Sequence, residues 1–205
     1  QSIAIEARSA KVITDTPLFN DANGSTIAKY FIPTNDALGV TWTRPDFEDS
    51  AWLSGPLGFG FGTAGNFPNH YTTVVQPSTV DPAATGFMVR VPFTVSNVAD
   101  IENLVLRMKY DDGYVAFLNG TEIAKRNITG TARWNTRATN RSNADAIQFE
   151  EVDVSRHIDK LTVGQNILAI RAVNQNATSS DMLLQPSLVS RNFTFGPSPT
   201  GAREE

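Results

Sequence analysis

The stretch Leu104–Ala124, LVLRMKYDDGYVAFLNGTEIA, decides the fold. Leu104, Leu106, Met108 and Tyr110 alternate with Val105, Arg107 and Lys109, the period of a strand with one buried face. Asp111, Asp112 and Gly113 then turn the chain, and the aromatic and β-branched run YVAFL follows. Asn119-Gly120 supplies the two positive-φ positions of a tight hairpin before Thr121, Glu122, Ile123 and Ala124 return. Three strands in a meander are the expectation.

Outward from this stretch the same period recurs. Gly86 to Ser96 places Phe87, Val89, Val91, Phe93 and Val95 on one face, with Pro92 marking an edge or a bulge. Thr72 to Gln76, Ile167 to Val173 and Leu183 to Val189 read as further strands, as do Ile27 to Pro33 and, at the front, Lys11 to Thr14. Asp21 to Ser25 is a turn cluster, and His157, Ile158 and Leu161 form one short helical turn. Thr41 to Gly65 is loop-rich and aromatic, with Trp42, Phe47 and Trp52 expected to pack as a lid over one sandwich end. Arg126 to Ala146 is a long polar loop. The prediction is an all-β, antiparallel β-sandwich of jelly-roll type with long loops and little helix. It forms a single domain over residues 1–192, followed by an exit linker at 193–205 that carries Pro197, Pro199 and Gly201.

Composition narrows the function classes. A net charge of -4 over 205 residues weighs against a nucleic-acid partner, which would need clustered Lys and Arg. No apolar run approaches the ~18 residues of a membrane helix. With 0 Cys there is neither a disulfide framework nor a thiolate site. His70 and His157, the chain's 2 histidines, sit in no zinc-peptidase or nucleophile motif. Gly60-Phe-Gly62-Thr-Ala-Gly65 fits the dinucleotide-binding pattern by letter, but Asn66, Pro68 and Asn69 follow with no helical period, so the glycines serve backbone packing instead.

The strand, DDG turn, strand and NG turn, followed by VDVSRHIDKLTVGQNILAIRAVN with its D-V-S step and its hydrophobic-x-x-G-x-N turn, resemble the sugar-binding jelly-roll domain of family 2 glycoside hydrolases, a galactose-binding-like domain. The likeness covers Leu104 to Leu188, and the segment from Phe47 to Gly62, FEDSAWLSGPLGFGFG, is similar to a packed loop of the bacterial relatives. In that family the jelly roll is not the catalytic domain. A shorter resemblance, on the aspartate pair before a similar strand, is to the domain of anthrax protective antigen and yeast flocculins. There the pair holds Ca²⁺, which in turn grips sugar hydroxyls.

These likenesses imply a non-catalytic carbohydrate-binding module. The parent would be a secreted or surface-exposed bacterial multidomain protein, and the module a monomer whose partners are a polysaccharide or glycan and other domains of its own chain. Trp134, flanked by Arg133 and Asn135, offers a ring for sugar C–H faces, unless it is buried in the core; His70 and Tyr71 offer a second aromatic loop. Asp111 and Asp112 are the metal candidates, for Ca²⁺, with Asn174, Asn176 or Asp181 as a further oxygen ligand; Asn174 and Asp181 are counted with the carbohydrate contacts as well. Asn20, Asp21 and Asn23 are a second oxygen-rich group. The competing readings are a turn in which the first aspartate caps amides, a ligand-free structural or adhesive spacer, and a glycosidase fragment stripped of its active domain.

Overall fold

The computed structural model describes residues 11–19, 25–62, 66–67 and 69–195. Two six-stranded sheets face each other. The first has the order β10-β7-β12-β4-β5, with β1 also on β12. Its strands are β1 (Lys11–Pro17), β4 (Phe59–Gly62), β5 (Thr73–Val74), β7 (Asn103–Asp111), β10 (Glu150–Asp153) and β12 (Asp181–Phe195). The second has the order β3-β2-β6-β11-β8-β9. It is made of β2 (Ile27–Phe31), β3 (Leu53–Pro56), β6 (Gly86–Val95), β8 (Gly113–Leu118), β9 (Thr121–Arg126) and β11 (Gly164–Val173). The ladders are antiparallel except β4–β5, which is parallel. Among the described residues helix is limited to α1 (Asn143–Ala146) and short 3-10 turns, among them Ser155–Lys160. Among the described residues no helix is long and apolar enough to cross a membrane.

The all-β sandwich is the architecture the strand periods demand. Alternate residues of the long central strands point into one shared core: Phe87, Val89, Val91 and Phe93 from β6, Leu168 and Ile170 from β11, Leu104, Leu106 and Met108 from β7, Met182 and Leu184 from β12. Most of these are fully buried, and each such side chain stabilises the fold by roughly 1.5–3 kcal/mol relative to exposure. Pro92 sits where the strand is one-sided, because the β2 ladder on β6 ends at Arg90.

The meander is corrected. β8 and β9 pair as the expected hairpin, with Asn119 at φ 48° and Gly120 at φ 90° in its turn. β7, however, pairs with β12 and β10, so the DDG segment carries the chain from one sheet to the other. The period of the two strands is the same in either arrangement, and only pairing across the core separates them. The NG turn is fixed by the second segment of the sequence signature: Asn119 donates to the Lys160 carbonyl and to Asn166 Oδ1, and accepts from the Ile167 amide.

Thr41 to Gly62 is less loop-like than expected, since β3 and β4 lie within it. Gly60 lets β4 approach β12, because a Cβ there would stand 2.3 Å from the Met182 carbonyl oxygen. The domain boundary drawn at 192 falls inside β12, which runs to Phe195. The turn at Asp21 and the group Asn20, Asp21 and Asn23 lie outside the described residues, as do Pro197, Pro199 and Gly201.

Candidate functional site

The outer face of the second sheet is apolar and is covered by two segments of chain. Met88, Ile167 and Ala169 alternate with core residues on β6 and β11, and they pack with Trp42, Trp52, Phe47 and Phe117. Trp42 and Trp52 are therefore a second small core on a sheet face and not a lid over the sandwich end. Phe31 stacks on Trp52 at 5.3 Å, and Trp42 meets Phe117 edge-on at 6.0 Å. Arg90 of β6 anchors this segment from below. Its guanidinium donates to Asp49 Oδ2 at 2.6 Å, to the Arg44 carbonyl at 2.9 Å, and to the Trp42 carbonyl.

The second covering segment is residues 127–139, the polar loop of the sequence. Ile128 and Ala138 pack on Val115 and Val173 of the same outer face. The Ala138 amide donates to the Asn174 carbonyl, and Thr85 Oγ1 donates to the Thr136 carbonyl. Asp36 ties the two segments together by accepting from the Trp134 amide at 2.8 Å and lying 3.8 Å from the Arg133 guanidinium.

Between the segments is a cavity of about 350 Å³. Met88, Val115 and Phe117 of the sheet form its floor; Leu38 and Trp42 on one side and Ala132 and Trp134 on the other form its walls. Asn35, Asp36, Glu122, Lys125 and Arg133 supply polar groups around it. Trp134 is half-buried, so its ring belongs to neither core and remains partly open. This volume is at the small end of the ~300–1,000 Å³ range of small-molecule sites, which join apolar walls to a few polar groups in the same way.

Arg171 of β11 also lines the cavity. It is 2% exposed and donates from Nη2 to the Trp134 carbonyl at 2.6 Å, while its Nε and Nη1 have no hydrogen-bond partner. Burial pushes its guanidinium down to about 10, and the charge of Asp36 opposes that shift. A group with that value is cationic at neutral pH.

The other predicted residues are elsewhere. His70 and Tyr71 belong to the far side of the molecule: Tyr71 packs with Phe67, Ala146 and Leu183 on the outer face of the first sheet. The structure does not bring them to Trp134. Asp111, Asp112, Asn174 and Asp181 do gather, at the end of the sandwich where β7 crosses to β8 and β11 leads to β12. The aspartate pair is buried, at 3% and 1% exposure, beneath the Arg141 and Gln175 segments. Asp112 staples those segments, each of its oxygens accepting one amide at 2.7 Å, from Arg141 and from Gln175. Asn174 donates to the Asp181 carbonyl, and Asn143 donates to Asp181 Oδ2. Burial, then Asp112, then Asp181 push the Asp111 carboxyl up to about 8.

Both Asp112 oxygens and one Asp181 oxygen each accept one N–H, which leaves their second lone pairs and the Asp111 carboxyl as the oxygen donors of the cluster, against the six to eight that Ca²⁺ takes. Among the described residues no group of three or more His, Asp or Glu side chains is arranged to hold a metal ion. Beside this cluster, Glu150 accepts from Tyr110 Oη, Arg126 and Arg141. Burial pushes its carboxyl up, and the Tyr110 and Arg126 hydrogen bonds more than offset that, so the net direction is down.

Sequence reasoning named Trp134 and Arg133, which lie together beside the cavity, and did not name Asp36, Arg90 or Arg171. The two arginines had a signal: each is a lone charge inside an apolar strand, FMVRVPF and ILAIRAV, at the parity that faces away from the main core.

No protein-family model matches the chain, and no curated protein matches it. Solved structures do. A β-glucuronidase from an uncultured Clostridium species is 14% identical over 85% of this chain and 24% of its own, with a TM-score of 0.44. A glycosyl hydrolase family 2 member from Bacteroides cellulosilyticus is 12% identical over 85% of this chain and 20% of its own, at 0.45. A β-D-mannosidase from Dictyoglomus thermophilum is 13% identical over 79% and 16%, at 0.37. The chain thus spans less than a quarter of the length of each of these proteins, and likeness at this level carries no argument about activity or ligand.

Proposed function

We propose that this β-sandwich is a non-catalytic carbohydrate-binding module of a secreted bacterial multidomain protein, and that a sugar occupies the cavity on the outer face of the second sheet. The observation that carries the reading is the half-buried Trp134 ring beside an apolar floor, with Asn35, Asp36, Glu122, Lys125 and Arg133 around it. A sugar has the matching chemistry, apolar C–H faces for the ring and hydroxyls for amides and charges. The non-catalytic part is supported by the state of the acids. Glu150 is engaged by two guanidiniums, and Asp111 and Asp112 are buried under loops where no substrate reaches them.

A glycan array probed with the module, with and without chelator, tests the reading. Trp134→Ala is expected to remove retention on the array while far-UV circular dichroism and melting temperature stay close to wild type. Absence of retention on every polysaccharide would leave the ligand-free spacer as the better description. Turnover of aryl glycosides by the isolated chain, lost on replacing one carboxylate, would overturn the non-catalytic assignment.

A further inference from the structure

The charges around the cavity do not cancel. Lys125 lies 3.3 Å from Glu122, and Arg133 lies 3.8 Å from Asp36, so each outer cation has its own acid. Arg171 has no such contact. The charge of Asp36 reaches it from farther away, but among the described residues no carboxylate lies within salt-bridge distance of it, and two of its nitrogens have no acceptor. Among the described residues it donates only to main-chain carbonyls of the segment that walls the cavity, Arg133 and Trp134.

A buried charge without a counter-charge is a cost that proteins ordinarily avoid by pairing it. Here the sequence places the cation on a central strand, beneath a cavity, in a protein whose net charge is -4. We infer that the cavity selects an acidic sugar, a uronic acid residue whose carboxylate supplies the close counter-charge Arg171 lacks. Apolar walls around the site keep the effective dielectric low, which strengthens the attraction over its value in water. The Nε and Nη1 atoms themselves are shut off from solvent. The carboxylate is therefore drawn by the field of the guanidinium and not by contact with those two atoms. Arg is suited to this role because it keeps its charge when desolvated.

This inference rests on the carbohydrate reading above, and the test separates the two. Galacturonate and galactose, each as monosaccharide and as linear trimer, are titrated into the intact protein by calorimetry. The acid forms are expected to bind at least tenfold more tightly than the neutral ones, Arg171→Met to bring that ratio close to one, and Arg171→Lys to keep most of it. Equal affinity for acid and neutral sugars in wild type, or a preference that survives Arg171→Met, overturns the inference and leaves the carbohydrate reading standing. Binding of neither overturns the inference, and absence of retention on every polysaccharide of the array as well overturns the carbohydrate reading. Should Arg171→Met fail to fold, Val40→Trp decides: Val40 is 58% exposed and lines the cavity, so a larger ring there fills the cavity without touching the core. That variant must abolish binding of the acid trimer, and retained binding would place the ligand elsewhere and refute the inference.

Discussion

Arg90→Met should be among the most destabilising single changes available on the outer face of the second sheet, although Met matches the stem of the side chain it replaces. The Arg90 side chain is 2% exposed and its partner Asp49 is 24% exposed, so the pair is buried on one side only. Removing the guanidinium ends the ion pair at 2.6 Å and leaves the Trp42 and Arg44 carbonyls without their donor under an aromatic cover. The ring of Phe47 also loses the cation 5.3 Å from its centre. Breaking a buried, hydrogen-bonded ion pair from one side costs about 3–5 kcal/mol, roughly a fifth or more of a typical ~5–15 kcal/mol domain stability. Asp49→Asn keeps the carbonyl contacts and an oxygen acceptor but leaves the buried guanidinium without its carboxylate, so it should be destabilising as well. Urea unfolding followed by both tryptophan fluorescence and far-UV circular dichroism measures these values. It also resolves where the loss falls: Trp42 and Trp52 sit in the anchored segment, so fluorescence should change before the sheets unfold. A loss below about 1 kcal/mol, with the two signals still coincident, would refute the view that Arg90 holds this cover in place.

Three further outcomes are expected. Asp111 has a folded value of about 8 against an ordinary 3.8, so the folded state holds that proton over a range in which the unfolded chain has released it. The contribution of this carboxyl to stability should then be greatest below about pH 4 and fall as pH rises toward 8, and Asp111→Asn should remove it; the difference between wild-type and variant melting curves across pH, with chelator present, shows it, and a difference that does not change with pH would contradict the raised carboxyl. Gly86→Ala should abolish soluble expression, because the added carbon would lie 1.9 Å from the Ala172 carbonyl oxygen within a paired ladder; a soluble variant with a near-native melting temperature would mean the strands can separate there. Asn166→Ala should cost about 2–4 kcal/mol in chemical unfolding, since Asn166 is fully buried, accepts from Asn119 and Thr162, and donates to the Thr162 and Gly164 carbonyls.

Periodicity exposed the inner faces of the strands, because hydrophobic alternation on β6, β7 and β11 is a local property that one stretch of chain carries by itself. It did not reveal which strands pair. Leu106 and Met108 look the same whether β7 lies beside β8 or across the core from it, and the turn chemistry of DDG fits both. Trp134 was legible as a ring without aliphatic neighbours, and the packing of Trp42, Phe47 and Trp52 was legible while its place was not. The cavity itself was not legible: it is made by two segments about a hundred residues apart that meet through one hydrogen bond from the Trp134 amide to Asp36. Asp111 and Asp112 show the converse. Two adjacent acids in a turn suggest an exposed ion site until the amides of Arg141 and Gln175, far away in sequence, close over them.

The ladder between β1 and β12 has a mechanical consequence. Lys11 stands opposite Phe195 and Pro17 opposite Val189, so the two strands run antiparallel with residues 11 and 195 at the same end. Tension applied between those two residues would load the cross-strand bonds singly, like teeth of a zip, and not all at once in shear. β1 is largely exposed and contributes none of its side chains to the central core, so it could peel away under modest force while the rest of the sandwich holds its shape.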